Sequence, residues 1–160
     1  MLELITYDEN NEDIVSILGK KWLQDFLDIC FSHADYFTLN RASWAKSTCK
    51  DLQLDLEPFL DQEIKTLNWF GYNKTSRPHT KDRTHALIYR AEASTKEILL
   101  RHLPNIFFRP EDRSIPYQTL EDLCFFFDGQ LFIGSISHEY MLWAYPPNEE
   151  VELQLKQIAD

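Results

Sequence analysis

The sequence predicts an α+β fold, an antiparallel sheet with helices packed on one face, its clearest part a C-terminal hairpin and meander near residues 123–145. Three observations carry this. Asp128-Gly129 separates two apolar runs, Leu123–Phe127 and Gln130–Ile136, and both central positions of a two-residue hairpin turn need positive φ. Near the other end, Ile14, Leu18, Trp22, Phe26 and Ile29 recur at the spacing of one helix face. Finally, 44% apolar and 14% aromatic residues in 160 are enough for a real core, since a chain this long buries roughly 70% of its unfolded surface. Residues 1–160 are expected to form one globular domain.

The elements follow in order. Leu2–Tyr7 alternates loosely, as a short strand does. Asn10 or Asn11 can cap the helix after it, which runs to Cys30 with Val15, Leu23 and Leu27 widening its apolar stripe. Gly19 inside that helix costs about 1 kcal/mol relative to Ala. Tyr36–Leu39 reads as a short strand. Pro58 suits the first position of a second helix, with Phe59, Leu60, Ile64 and Leu67 on its inner face. Asn73–Thr84 is polar, contains Pro78 and reads as an exposed loop. His85–Ala91 reads as a strand. Ser94 with Glu97 forms a capping box for a helix carrying Ile98, Leu99 and Leu103, stopped by Pro104. Pro110–Pro116 is a further loop. Leu120–Phe126 has two readings: a strand, or a short helix capped by Thr119 with Asp122. The strand is preferred, because three consecutive Phe suit a sheet. Tyr140–Tyr145 supplies a third strand, and Asn148 caps a last helix with Val151, Leu155 and Ile158 on one side.

Charge narrows the function classes. The formal net charge is −10, and the acid is clumped: Asp8, Glu9, Glu12 and Asp13; then Asp51, Asp55, Glu57, Asp61 and Glu63; then Glu149, Glu150 and Glu152. No Lys or Arg lies between Asp51 and Glu63. Such a surface repels phosphate and anionic lipid and draws in basic partners, so neither nucleic acid nor membrane is an expected partner. Lys74, Arg77, Lys81 and Arg83 make one basic loop, which reads as a solvated loop or a contact for an acidic group. The high aromatic content fits rings on a surface that a partner covers. Cys30, Cys49 and Cys124 are scattered singly, which argues against a disulfide framework and for a reducing cytoplasm. Met1–Glu12 lacks the basic start and apolar run of a signal peptide, and no apolar run reaches membrane-spanning length. Asn73-Lys74-Thr75 spells a glycosylation sequon that a cytoplasmic protein does not use.

No motif specifies a reaction. His138-Glu139 has acid/base composition, but neighbours on a strand point to opposite faces, so the pair reads as a polar hairpin turn. His33, His79, His85, His102 and His138 lack the paired spacing of a metal site, and neither metal nor cofactor is expected. Cys49 sits beside Lys46 and Lys50, which lower a thiol pKa, yet no base is evident; Cys30 and Cys124 read as core residues. Gly134-Ser135-Ile136-Ser137 resembles half of a nucleophile elbow in the wrong setting. With four glycines and no phosphate-cradling loop, a nucleotide-binding fold is disfavoured.

In size, acidity, aromatic content and α+β pattern the whole chain resembles the small immunity proteins of bacterial polymorphic-toxin and contact-dependent growth inhibition systems. It carries no diagnostic motif of theirs, so no residue is carried over. The resemblance implies a cytoplasmic, non-catalytic protein that binds a cognate basic toxin domain, such as a nuclease, and blocks it. The residues suited to such contact are Asp51, Asp55, Glu57, Asp61 and Glu63, with Trp69 and Tyr72 beside them, and Trp44 and Phe70 near; the last hairpin offers Glu139, Tyr140 and Trp143. Two other classes stay open: an enzyme built from His138, Glu139, Cys49 or His85, and a regulatory subunit or nucleic-acid mimic in a larger assembly.

Overall fold

The computed structural model describes residues 1–5, 19–41, 51–66, 68–70, 84–107 and 120–159. In chain order the elements are β1 (Leu2–Ile5), α1 (Lys20–His33), β2 (Tyr36–Arg41), α2 (Asp51–Leu56), a 3-10 turn (Glu57–Phe59), β3 (Leu60–Thr66), β4 (Thr84–Arg90) and α3 (Ala93–His102). Then come β5 (Leu120–Phe127), β6 (Gln130–Ile136), a second 3-10 turn (Ser137–Glu139), β7 (Met141–Ala144) and α4 (Glu149–Ala159). The strands form one seven-stranded antiparallel sheet in the order β1-β7-β6-β5-β2-β4-β3. The α+β class read from the sequence is therefore the observed one, with the sheet reaching well beyond the C-terminal meander.

The Asp128-Gly129 turn joins β5 to β6 with φ of 48° and 72°, as a tight hairpin of this hand requires. The Phe run of β5 explains why the sheet is covered twice. Adjacent strand residues face opposite ways. Phe125 meets Phe26 and Phe31 of α1, whereas Phe126 meets Trp69 on the other face. Phe37 of β2 and Tyr89 of β4 stack at 5.3 Å and continue the helix-side core. Over it α1 packs against α3 and α4, α2 against α3, and α4 runs along β1. The α1–α4 contact is tied by Trp22, whose indole N–H donates to the Ile158 carbonyl at 2.6 Å. Asn148 caps α4, its side-chain oxygen accepting from the Val151 N–H at 3.0 Å.

On the second face Gly134 gives Phe70 its seat. A Cβ there would lie 2.5 Å from the Phe70 ring, which also meets Trp143 edge-on at 5.4 Å.

Three expectations are corrected. Pro58 does not begin a helix; it lies in the 3-10 turn, and Leu60–Thr66 is strand β3. Leu60 and Ile64 misled because residues four apart share a face in helix and strand alike. Pairing with β4 from Leu60↔Tyr89 to Thr66↔Thr84 decides for the strand, and Leu67 lies outside the described residues. Gly19 is the N-cap of α1, not an interior residue, with the Leu23 N–H donating to its carbonyl at 3.1 Å. The capping box of α3 is made by Glu92 and Thr95, two residues before the expected Ser94 and Glu97. The Thr95 hydroxyl is buried there and accepts from the Glu92 N–H at 2.9 Å. Among the described residues no helix is long and apolar enough to cross a membrane.

Candidate partner-binding surface

The acidic segment Asp51–Glu63 unfolds along one rim of the molecule as helix, turn and edge strand. In α2, Leu52 and Leu56 are buried, which turns Asp51 and Asp55 outward together. Leu54 cannot join its neighbours on the inner face and is left 59% exposed among the acids. Glu57, Asp61 and Glu63 are likewise exposed.

Neutralisation along this ridge is partial. His102 of α3 lies 2.7 Å from the Asp55 carboxylate. Its hydrogen bond holds the Asp55 carboxyl below the usual carboxylate range, aided by its charge and that of Arg101. Glu63 is met by His85 at 3.1 Å and by Arg41 at 3.7 Å. Glu57 and Asp61 have no ion-pair partner among the described residues. Exposed pairs of this kind are screened by solvent and contribute little, so a partner's cation can compete for these carboxylates.

The expected rings are placed elsewhere. Trp69 packs on Phe126, and Phe70 lies between Gly134 and Trp143, all on the second face of the sheet. Trp69, Phe70 and Trp143 are half-buried packing residues of that face. Trp44 and Tyr72 lie outside the described residues. So do Cys49, the basic loop with its sequon, the first acidic group and the loop at Pro110–Pro116.

The third acidic group has a local task. Glu149, Glu150 and Glu152 occupy the first turn of α4, where negative charge complements the helix dipole. Glu152 also pairs with Lys156 at 2.5 Å, and that hydrogen bond lowers its carboxyl pKa.

The residues considered for catalysis do not converge. His138 and Glu139 share the 3-10 turn between β6 and β7, exposed and 3.4 Å apart. His85 is on β4, separated from β6 by β2 and β5, a lateral distance of roughly 14 Å. Burial pushes the Cys30 thiol up and the Cys124 thiol up to about 12, so both stay protonated at neutral pH. Ser135 is buried mid-strand with its hydroxyl donating to the Leu123 carbonyl at 2.8 Å, not on an elbow. No group of three or more His, Cys, Asp or Glu among the described residues could hold a metal ion.

Two features were missed by sequence reasoning. One is an open cleft of about 480 Å³ between the β5–β6 turn and the start of α4, lined by Phe127, Phe132, Tyr145 and Pro146 together with Asp128 and Glu152. No local pattern announced it, because it joins Met1, the β5–β6 turn and the start of α4, segments far apart in sequence. The other is Asp122, a carboxylate only 1% exposed on β5, with φ of 56°. One of its oxygens accepts from the Ser137 N–H at 2.7 Å and the other from Asn40 Nδ2 at 3.2 Å. Its own N–H donates to the Ser137 hydroxyl at 3.0 Å. A charge within an apolar run was the available signal.

Comparison of the chain with protein-family models, with curated proteins and with solved structures finds no match.

Proposed function

We propose that this is a non-catalytic, cytoplasmic binding protein that neutralises a basic partner, in the manner of an immunity protein blocking a cognate toxin domain. The observation that supports this reading is the ridge Asp51–Glu63: five carboxylates displayed along one rim, with Leu54 59% exposed in their midst. A run of exposed carboxylates only partly met by His102, His85 and Arg41 attracts a partner of the opposite sign. The carboxylates steer the encounter and stand where a nuclease would hold phosphates; Leu54 supplies apolar contact.

The test begins with purification of the native complex from the host and identification of the bound protein. That partner is then titrated against wild type and the Asp55→Lys, Asp61→Lys double variant at low and high salt. The expected result is a basic partner whose association rate falls at least about tenfold from 50 to 300 mM salt. The double variant should keep the wild-type circular dichroism and a cooperative melt, lowered only by the loss of the exposed Asp55–His102 contact, while binding about tenfold more slowly or worse. Expression of the partner alone should arrest cells that co-expression rescues. Binding indifferent to salt and to both charge reversals would overturn the reading.

A further inference from the structure

We infer that the cleft between the β5–β6 turn and the start of α4 receives a cationic side chain, an arginine of the partner. The inference rests on the reading of this protein as a binder of a basic partner and adds a second contact, away from the ridge. Exposed rings and carboxylates meet here, whereas the ridge's one ring, Phe59, is half-buried and already has the Arg90 guanidinium 5.9 Å from its centroid. Phe127 and Tyr145 are 39% and 38% exposed, and both line the cleft with Asp128 and Glu152.

The chemistry selects a guanidinium. Its flat faces stack on aromatic rings, and its fork of N–H donors meets carboxylates. The volume of about 480 Å³ accommodates such a side chain with part of its backbone. Electrostatics agree. Glu152 stays ionised, its carboxyl pKa lowered by Lys156. The Asp35 carboxylate accepts from the Asp128 N–H at 2.8 Å, which brings a further negative charge beside the turn. A helix start ordinarily favours anions, but at α4 Asn148 takes up the Val151 N–H, and Glu149, Glu150 and Glu152 outweigh the half-positive dipole end.

The walls are also set in advance. Pro146 has a fixed φ, the Tyr145 N–H donates to the Phe132 carbonyl at 2.7 Å, and the Asp128-Gly129 turn is held by Asp35. A preorganised site loses little entropy when it is filled. A second copy of this chain fits poorly, because it brings the same charge of −10.

The experiment is an NMR titration of the full chain with N-acetyl-arginine amide, with the neutral isostere N-acetyl-citrulline amide as control. Arginine should produce saturable shifts at Phe127, Asp128 and Tyr145 with a Kd in the millimolar range at low salt. Citrulline should bind at least about fivefold more weakly, and Phe127→Ser should weaken arginine binding by about two- to fivefold. Tyr145→Ser serves the same end should the Phe127 variant lose its dispersed spectrum. Equal shifts from arginine and citrulline, no shifts, or shifts confined to Asp51–Glu63 would overturn the inference. None of these would touch the basic-partner reading, which stands or falls on the salt dependence of the native complex.

Discussion

Asp122 offers the sharpest test of how the second face of the sheet is held. Its carboxylate accepts two hydrogen bonds while almost fully buried, and its backbone sits in the left-handed region at a place where β2 and β5 slip register. Replacement by Ala removes both acceptors and strands the Ser137 N–H and Asn40 Nδ2 away from water. Each stranded donor costs about 1–3 kcal/mol. Removal of a buried charge returns part of that. The net expectation for Asp122→Ala is a loss of about 3 kcal/mol, or a fall in Tm of roughly 6–12 °C for a chain of this length.

Two companion variants separate hydrogen bonding from backbone strain. Asp122→Gly loses the same bonds but tolerates φ of 56°, so it should exceed the Ala variant by roughly 0.5–1 kcal/mol. Asp122→Asn keeps an acceptor for the Ser137 N–H. Its new amide can meet Asn40 Oδ1, a buried atom without a hydrogen bond among the described residues of the wild type, if the Asn40 amide flips. The Asn variant should therefore lose no more than about 1 kcal/mol. Urea denaturation of the four proteins gives the order wild type, Asn, Gly, Ala. An Ala variant within 0.5 kcal/mol of wild type, or an Asn variant as weak as Ala, would refute this account of the cluster.

Two further outcomes follow from the same structure. Gly134→Ala drives a methyl against the Phe70 ring, and overpacking of this kind costs about 1–3 kcal/mol; in a Phe70→Leu background the same change should be close to neutral, and equal costs in both backgrounds in thermal melts would show that the contact does not matter. The His102 contact lowers the Asp55 carboxyl, so its contribution to stability is present above the unfolded pKa of about 4 and disappears as pH falls through the folded value. NMR titration of Asp55 in His102→Gln should return the carboxyl to the ordinary range, and an unchanged titration would assign the shift elsewhere.

The local signals that proved legible are those with a single physical meaning. Asp128-Gly129 admits little besides a tight hairpin, and Asn148 before Val151 and Leu155 admits little besides a capped helix. Segments with two meanings were misread or left half-read. Leu60 and Ile64 satisfy either period, and only their β4 partners, Tyr89 and Ala86, settle the matter. Ser94 and Glu97 spell a capping box, but β4 ends at Arg90 and the helix starts at once, so Glu92 and Thr95 reach the free N–H groups first. The ridge was legible as charge and not as geometry. Its carboxylates could be counted from the sequence, but His102, His85 and Arg41 arrive from other elements. Trp69 and Trp143 looked like anchors because large rings so often are. The sheet has a second face to cover, and these rings are drawn to it instead.

That division of labour bears on where a partner can bind. Burial of rings from both sides, α1 on one face and Trp69 with Phe70 on the other, supplies cohesion at the centre of the sheet. Folding also accounts for the acids of α4, which complement a helix start. It accounts less well for the ridge. There Asp55 and Glu63 gain only exposed pairs, Glu57 and Asp61 have none among the described residues, and Leu54 stays in water beside them. Crowded like charges raise the free energy of the folded state, and an exposed leucine gains nothing for it. Both costs would be recovered by a cationic, partly apolar surface closing over the ridge, as the proposed function requires. The residues that folding explains least are therefore the ones on which binding has the strongest physical claim.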